Sequence, residues 1–225
     1  VLWSFMNPLL TMFVMYIVFS TLFRSSIDNF PAYLLTGIVF WNFFSETTNT
    51  CLSSITGNTA LITKVYVPKY MYPLSRSVSC MVNLAMSLIP LVGVLLLTHD
   101  LPTRSWALIW FPLVCLFLFS AGMGLLLAAA MVFFRDIQFL WSVISMLWMY
   151  LTPIFYDASI IPEQYLTLYK MNPLFHIIRI ARVLLIDGVS PEPRAYLFCI
   201  IATVVPLILG VAIFKKTQDR FVLYL

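Results

Sequence analysis

The stretch WALIWFPLVCLFLFSAGMGLLLAAAMVFF, residues 106–134, decides the fold class because it contains no charged residue. A bilayer core about 30 Å thick is crossed by roughly 20 apolar residues of α-helix, so this stretch is long enough to span a membrane. Its small residues, Ser120–Gly124 and Ala128–Ala130, form a surface that predicts close packing against another helix.

The rest of the chain has the same character. Of its 225 residues, 62% are hydrophobic and 10% are charged, whereas a soluble domain is about half apolar and about a quarter charged. So few charges cannot cover a soluble globule, and we expect an all-α membrane protein forming one transmembrane domain, residues 1–225. Six stretches qualify as transmembrane helices, with Glu46 as the one formal charge inside them: Trp3–Phe23, Pro31–Ser53, Ser77–Thr98, Trp106–Phe134, Phe139–Tyr156 and Tyr196–Phe214.

The basic residues indicate the orientation, because Lys and Arg accumulate in cytoplasmic loops. With six spans both termini lie on one side, and the short loops of the other side carry only Arg24 and Arg104. The basic residues on the side of the termini are Lys64, Lys69, Arg76, Arg135, Lys215, Lys216 and Arg220. We therefore expect both termini to be cytoplasmic and residues 157–194 to be external. Because the chain opens on Val1 in an apolar stretch, we also expect an N-terminal segment to precede it.

Several functional classes lack the residues that they need. The chain has no GxxxxGK[ST] loop, so we do not expect it to bind ATP by itself. His99 and His176 have no Cys or carboxylate at ligand spacing, which predicts no metal site. The 4 cysteines have no CxxC spacing and are expected to be buried thiols. The net charge of +4 is scattered between apolar runs, which is not typical of nucleic-acid binding, and no catalytic set of acids and histidines indicates an enzyme.

The loop after the second span predicts a short amphipathic helix. Asn58 is a suitable N-cap and Pro68 must end the helix. One face of this helix is apolar and consists of Leu61, Ile62, Val65 and Tyr66. Such a face binds either a partner protein or the helix's own subunit.

A polar face is predicted on the second span. Glu46 lies inside the bilayer region, where a charge costs several kcal/mol unless it faces a partner or water. Asn42, Ser45, Asn49 and Ser53 share its face at helical spacing. This face lines either a polar conduit or a helix contact in which Glu46 serves only as a hydrogen-bonding group.

The fifth span carries aromatic and hydroxyl side chains at helical spacing, namely Trp141, Ser145, Trp148, Thr152 and Tyr156. Aromatic rings stack on the C–H faces of sugars, and hydroxyls bond to sugar substituents. The alternatives are core packing and anchoring of rings at the membrane interface.

The external segment predicts two short helices, Pro162–Met171 and Pro173–Ile186, because proline is favoured at the first position of a helix. Asp187-Gly188 ends the second helix, on which His176, Arg179 and Arg182 form a polar face. These helices form a lid or a re-entrant hairpin rather than a solvated loop, because they are too apolar for water.

Motifs along the whole chain then indicate a family. In order they are Val1–Leu10 (VLWSFMNPLL), Asn58–Pro68 (NTALITKVYVP), Pro73–Ser75 (PLS), Phe133–Gln138 (FFRDIQ), Leu151–Tyr156 (LTPIFY), Ile161-Pro162, Met171–Pro173 (MNP) and the tail Phe214–Leu225. As an ordered set, they resemble the type-2 ABC exporter permeases that move lipid-linked polysaccharides, such as O-antigen and teichoic-acid exporters.

The resemblance implies roles for these residues. It implies a six-span homodimer in the bacterial plasma (inner) membrane that binds two ABC ATPase subunits, with ATP and Mg²⁺ held by those subunits and no cofactor by this chain. The implied coupling helix contains Asn58, Leu61, Ile62, Lys64, Val65 and Tyr66. The implied conduit includes Asn42, Glu46, Trp141, Ser145 and Trp148. The implied external gate contains Tyr156, Pro162, Asn172, Pro173, Arg179 and Arg182, and a cytoplasmic loop contains Arg135 and Asp136.

Two departures from the family pattern accompany the resemblance. Thr63 stands where the coupling helix usually has a second basic residue, and the amphipathic interface helix that precedes the first span in the family is not among residues 1–225. We predict a permease subunit for a lipid-linked cell-envelope glycan, with a drug or lipid ABC permease and a proton-coupled secondary transporter using Glu46 as alternatives.

Overall fold

The computed structural model describes Met6, residues 9–14, Ile17 and residues 29–62, 64, 67–98, 104–156 and 162–224. Within these residues every regular element is helical and no strand occurs, which confirms the all-α class. The first predicted span, Trp3–Phe23, lies mostly outside the described residues.

The helices follow the apolar stretches of the sequence. They are α1 (Phe30–Leu52), α2 (Thr59–Ile62), α3 (Met71–Leu97), α4 (Trp110–Phe133), α5 (Ile137–Leu151), α6 (Glu163–Lys170), α7 (Pro173–Arg182), α8 (Pro193–Thr217) and α9 (Phe221–Tyr224). Turns of 3-10 helix precede α2, α4 and α9 at Thr56–Asn58, Arg104–Ile109 and Gln218–Arg220, and a π-helical turn, Val183–Asp187, follows α7.

Among the described residues, 3 helical stretches are long and apolar enough to cross a membrane, namely Met71–Leu97, Arg104–Phe133 and Pro193–Arg220. Helix α1 has 23 residues but includes Asn42, Glu46 and Asn49, and it is not among them. Helix α5 is a shorter apolar helix of 15 residues. The structure therefore bears out a multi-helix membrane protein, and the count of six spans stays a prediction.

The predicted extension of the fifth span to Tyr156 is wrong. Helix α5 ends at Leu151, and Thr152 has an extended backbone with φ −89° and ψ 129°. The cause is Pro153, because a proline ring disfavours the helical conformation of the residue before it. The chain then leaves the helix axis, which brings residues 152–156 against other elements instead of continuing through the bilayer.

Helix α4 lies at the centre of the bundle. In the apolar part of the stretch that contains α4, 67% of the residues are buried, compared with 28% in α3 and 22% in the stretch that contains α8. The small-residue surface on α4 packs closely against α8, since a Cβ at Gly122 would lie 2.6 Å from Leu207 Cα and a Cβ at Gly210 would overlap the Gly122 carbonyl. This confirms the close helix packing predicted from Ser120–Gly124.

The described loops lie in two groups, one at each end of the helix bundle. At the Phe221 end, Lys69 Nζ donates to the Gln218 carbonyl at 2.6 Å, and the Phe133 ring lies 5.8 Å from the ring of Phe221. At the Gly188 end, Ser105 Oγ donates to the Gly188 carbonyl at 2.8 Å. The described loops that were predicted to be cytoplasmic therefore gather at one end, and those predicted to be external gather at the other.

Candidate functional site

Helix α2 is a short helix at the Phe221 end. The described part of the predicted two-turn helix consists of a 3-10 turn, Thr56–Asn58, and the α-helix Thr59–Ile62, and its predicted length stays a prediction because residues 63, 65 and 66 lie outside the described residues. Asn58 precedes this helix as expected, but its amide donates to the Ser54 carbonyl at 2.7 Å. Val65 and Tyr66 lie outside the described residues, and Lys64 is exposed.

The two apolar residues of α2 have different surroundings. Ile62 is half-buried and packs against a cluster of its own subunit that includes Leu125, Phe214 and Phe221. Leu61 is 47% exposed. The sequence left open whether this helix packs on its own subunit or on a partner; in the structure Ile62 packs on its own subunit and Leu61 is about half exposed. Leu61 is thus available for contact with another molecule.

Arg135 and Asp136 lie in the tight turn between α4 and α5, and both are exposed. Asp136 precedes the first residue of α5, and its carbonyl accepts from the backbone N–H of Phe139 at 3.0 Å. The turn is therefore exposed and charged, and it lies at the same end of the bundle as the exposed Leu61.

Glu46 pairs with a neighbouring helix. Asn83 of α3 donates from Nδ2 to Glu46 Oε1 at 2.5 Å, so an amide supplies a hydrogen bond that compensates part of the cost of placing this carboxyl in the bundle. The remaining polar residues of its face run along the least buried side of α1: Asn42 and Ser45 are half-buried, whereas Asn49 and Ser53 are exposed. This polar face of Glu46, Asn42, Ser45, Asn49 and Ser53, named the Glu46 stripe, thus contacts α3 on one side and is open on the other.

The two tryptophans of α5, Trp141 and Trp148, pack against rings in the interior of the bundle, whereas Phe139 and Tyr150 are exposed. The ring of Phe44 lies 5.2 Å from that of Phe119, 6.2 Å from that of Trp141 and 5.4 Å from that of Trp148. Trp141 is 4% exposed and Ser145 is 9% exposed. Within one subunit, these two side chains therefore belong to the core. Pairs of rings at these separations stabilise a core beyond the effect of area burial alone.

Trp148 differs from the other rings because it lines an open cavity of about 520 Å³. The other residues around this cavity are Ile144, Leu147, Leu151, Tyr169, Met171, Asn172 and Pro173. The cavity lies between α5 and the junction of α6 with α7. Of the three residues of α5 predicted to line a conduit, Trp148 is the one that this cavity exposes.

Asn172 connects the Trp148 cavity to the external helices. Its Oδ1 accepts from Trp148 Nε1 at 2.9 Å and from the backbone N–H of Leu174 at 3.1 Å, while its Nδ2 donates to Thr152 Oγ1 at 2.9 Å. The same side chain therefore caps α7 and ties it to the end of α5. Pro173 occupies the first position of α7. An asparagine directly before a proline is a sequence signal for a helix start that can be read without a structure.

The other predicted gate residues surround this junction. Tyr156 accepts at its carbonyl from Tyr33 Oη at 2.8 Å, and its own hydroxyl donates to the Tyr150 carbonyl at 2.9 Å. Pro162 precedes α6, and Arg179 is exposed on α7. Helix α7 itself ends at Arg182, and the π-helical turn that follows it ends at Asp187, in agreement with the predicted stop at Asp187-Gly188; Gly188 has a φ of 66°.

Arg182 does not belong to the polar face on which the sequence analysis placed it. It is 9% exposed, and its guanidinium donates to the carbonyls of Pro153 at 2.7 Å and Ile154 at 3.0 Å. It also lies 3.4 Å from the centroid of the Tyr33 ring. Arg182 therefore fastens α7 to α1 and to the segment after α5. The sequence contained an indication that Arg182 is buried, because its neighbours on the same helix face, Ile178 and Leu185, are apolar.

The described residues hold neither a metal cluster nor a disulfide. They contain no group of three or more His, Cys, Asp or Glu side chains that could hold a metal ion. All four cysteines, Cys51, Cys80, Cys115 and Cys199, are buried free thiols, as predicted. The candidate functional features are therefore the exposed α2, the Glu46 stripe, and the Trp148 cavity with its neighbouring helices.

Comparison with known proteins places these features in a wider group. A family model described as ABC-2 type transporter matches residues 2–186. The O-antigen export system permease protein RfbA of Klebsiella pneumoniae is 32% identical over 227 residues, which cover 98% of this chain and 85% of the relative. A protein of the same name from Myxococcus xanthus is 30% identical, with 98% and 85% covered.

A more distant relative is the polysialic acid transport protein KpsM of Escherichia coli, which is 20% identical over 97% of this chain and 86% of its own length. The family match includes α1–α7, and the relatives also cover the region of α8.

Proposed function

The chain belongs to the ABC-2 type transporter family, and from that premise we propose that it is the permease subunit of an ATP-driven exporter for a lipid-linked cell-envelope polysaccharide. The observation that carries this proposal is similarity over 98% of the chain to two proteins named as O-antigen export permeases. Teichoic-acid-like glycans fall within the same proposal, because they share the lipid-linked, polyhydroxylated chemistry.

The assembly that we propose is a homodimer in the bacterial inner membrane with two ABC ATPase subunits. Support for the dimer comes from α5, whose outward side is apolar: Val143, Met146 and Leu147 are each 59% exposed. Closed two-fold symmetry is the commonest arrangement of homo-oligomers, and it would place the two copies of α5 beside each other. The two Trp148 cavities would then face a shared conduit for the glycan.

Transport energy in this proposal enters at the Phe221 end. ATP and Mg²⁺ are held by the partner ATPases, and Leu61 on α2 together with the turn at Arg135 and Asp136 contacts them. The exposure of these residues at one end of the bundle supports this assignment. Movement of α2 reaches the core through Ile62, because Ile62 packs against the cluster that holds α4, α8 and α9 together.

The energy source is tested with Glu46→Gln in inverted membrane vesicles that contain the partner ATPase. Glutamine keeps an oxygen that accepts from Asn83, so the variant should lose about 1 kcal/mol or less of this hydrogen bond, and export should fall by about fivefold or less. Export by both variants should require ATP and survive an uncoupler. Transport that runs on a proton gradient without nucleotide, and stops in Glu46→Gln, would overturn the proposal and support a proton-coupled transporter.

Orientation is tested with single cysteines in a background that lacks the four buried thiols. Ser190 and Lys216 are both exposed, at the Gly188 end and the Phe221 end respectively. In intact cells an impermeant thiol reagent should label Ser190→Cys, whereas Lys216→Cys should react only after the membrane is opened. The reverse pattern would place α6 and α7 in the cytoplasm and would contradict their role as an external gate.

A further inference from the structure

A second cavity, of about 540 Å³, lies at the Gly188 end between α6, α7 and the start of α8. It shares no lining residue with the Trp148 cavity. Three basic side chains line it, Lys170, Arg179 and Arg194, together with His176 and a single carboxylate, Glu192. The cavity is therefore positively charged, and none of the described residues forms an ion pair with these three basic groups.

The three basic residues come from three different elements. Lys170 is in the last turn of α6 and Arg179 in the last turn of α7, where a positive charge interacts favourably with the helix dipole. Arg194 has the opposite placement, because it lies in the first turn of α8, where the dipole disfavours a cation. A bound anion would remove this conflict, since it would interact favourably both with Arg194 and with the helix N-terminus.

The cavity has a defined wall. His176 donates from Nε2 to the Lys170 carbonyl at 2.7 Å, which ties the start of α7 to the end of α6. The His176 ring stacks on Phe198 of α8, with ring centroids 6.0 Å apart and planes at 15°. His176 therefore connects α7 both to α6 and to α8, the three helices that carry the basic residues.

Apolar surface continues from the cavity along α8. Phe198 lines the cavity and is 57% exposed, and Ile201, Val205 and Ile208 follow it at helical spacing with exposures of 50%, 50% and 61%. Arg194 lies one helical turn before Phe198 on the same face. A basic pocket above an apolar stripe on a membrane-spanning helix matches the two parts of a phospholipid, an anionic head and acyl chains.

We propose that this cavity binds the phosphate of an anionic membrane phospholipid, with its acyl chains along the Phe198–Ile208 face of α8. The lipid anchors α6 and α7 to the bilayer beside the conduit. The site does not depend on which polysaccharide is exported, since it is separate from the Trp148 cavity.

The test uses the purified full-length permease, depleted of lipid in a neutral detergent, and measures binding of phosphatidylglycerol by native mass spectrometry. Near a membrane surface each Lys or Arg contributes about 1 kcal/mol, so Arg179→Gln and Arg194→Gln should each weaken binding about fivefold, and the double variant about thirtyfold. Arg104→Gln is the matched control. It removes an exposed arginine at the same end of the bundle, outside the cavity lining, and should leave binding unchanged.

Glu192→Gln keeps the test falsifiable if the double variant fails to fold. It removes the one carboxylate of the cavity and should tighten binding, an effect that misfolding does not produce. Weakening by Arg104→Gln equal to that by Arg194→Gln would overturn the proposal. Equal affinity for phosphatidylethanolamine would overturn it as well. Full displacement of the lipid by glycerol phosphate or inorganic phosphate would show a site for soluble anions and would also overturn it.

Discussion

Leu61→Asp abolishes export and co-purification of the partner ATPase while the permease stays folded; this is the expected result of charging the exposed side of α2. Leu61 is 47% exposed, so aspartate at this position costs the isolated permease little. Against a partner, burial of an unpaired carboxylate and loss of an apolar anchor cost about 2 kcal/mol or more, which is about thirtyfold in affinity. Co-purification from membranes and export of the glycan measure the two effects.

Leu223→Asp is the matched control for this experiment. Leu223 is 82% exposed and lies in α9, at the same end of the bundle, so it tests whether any new charge at that end disrupts the ATPase. We expect Leu223→Asp to retain export. Export and ATPase binding that persist in Leu61→Asp would remove α2 from the coupling interface.

Gly210→Val has the largest expected effect on folding. A Cβ at this position would overlap the carbonyl of Gly122, a backbone atom that cannot rotate away as a side chain can. Helices α4 and α8 would have to separate, and α4 belongs to the most buried of the three described stretches that are long and apolar enough to cross a membrane. Overpacking of this kind costs about 3 kcal/mol or more. Unfolding of the purified protein by heat or by a denaturing detergent measures the loss.

Gly93→Val is the corresponding control, because an added Cβ at Gly93 meets no atom within 4 Å. It introduces the same side chain into another apolar helix, α3, and should change the free energy of unfolding by about 0.5 kcal/mol or less. Equal stability of the two variants would show that the contact between Gly122 and Gly210 does not hold α4 and α8 together.

Local signals in the sequence predicted the long described helices and several of their ends, but not the start of α3, which lies at Met71 instead of Ser77. The start of α7 at Pro173 and the end of the π-helical turn before Gly188 follow from residue types that act within one helical turn. The same kind of signal was misread at Thr152-Pro153, where an apolar run was allowed to continue through a proline that ends the helix. For α2, two apolar neighbours were assigned to one face, whereas Ile62 packs against the cluster of Leu125, Phe214 and Phe221 and Leu61 is 47% exposed.

By itself, the sequence determined that the chain is an all-α membrane protein, because unbroken apolar runs and scarce charges are properties of composition and do not depend on which helices meet. Only the tertiary structure decided the partners of its polar groups. Asn83 is 37 residues from Glu46, and Tyr33 is 149 residues from Arg182. Buried polar groups must find hydrogen bonds, but helical spacing indicates only which face a group occupies. The element that packs against that face, and so supplies the bond, is set by the arrangement of the whole bundle.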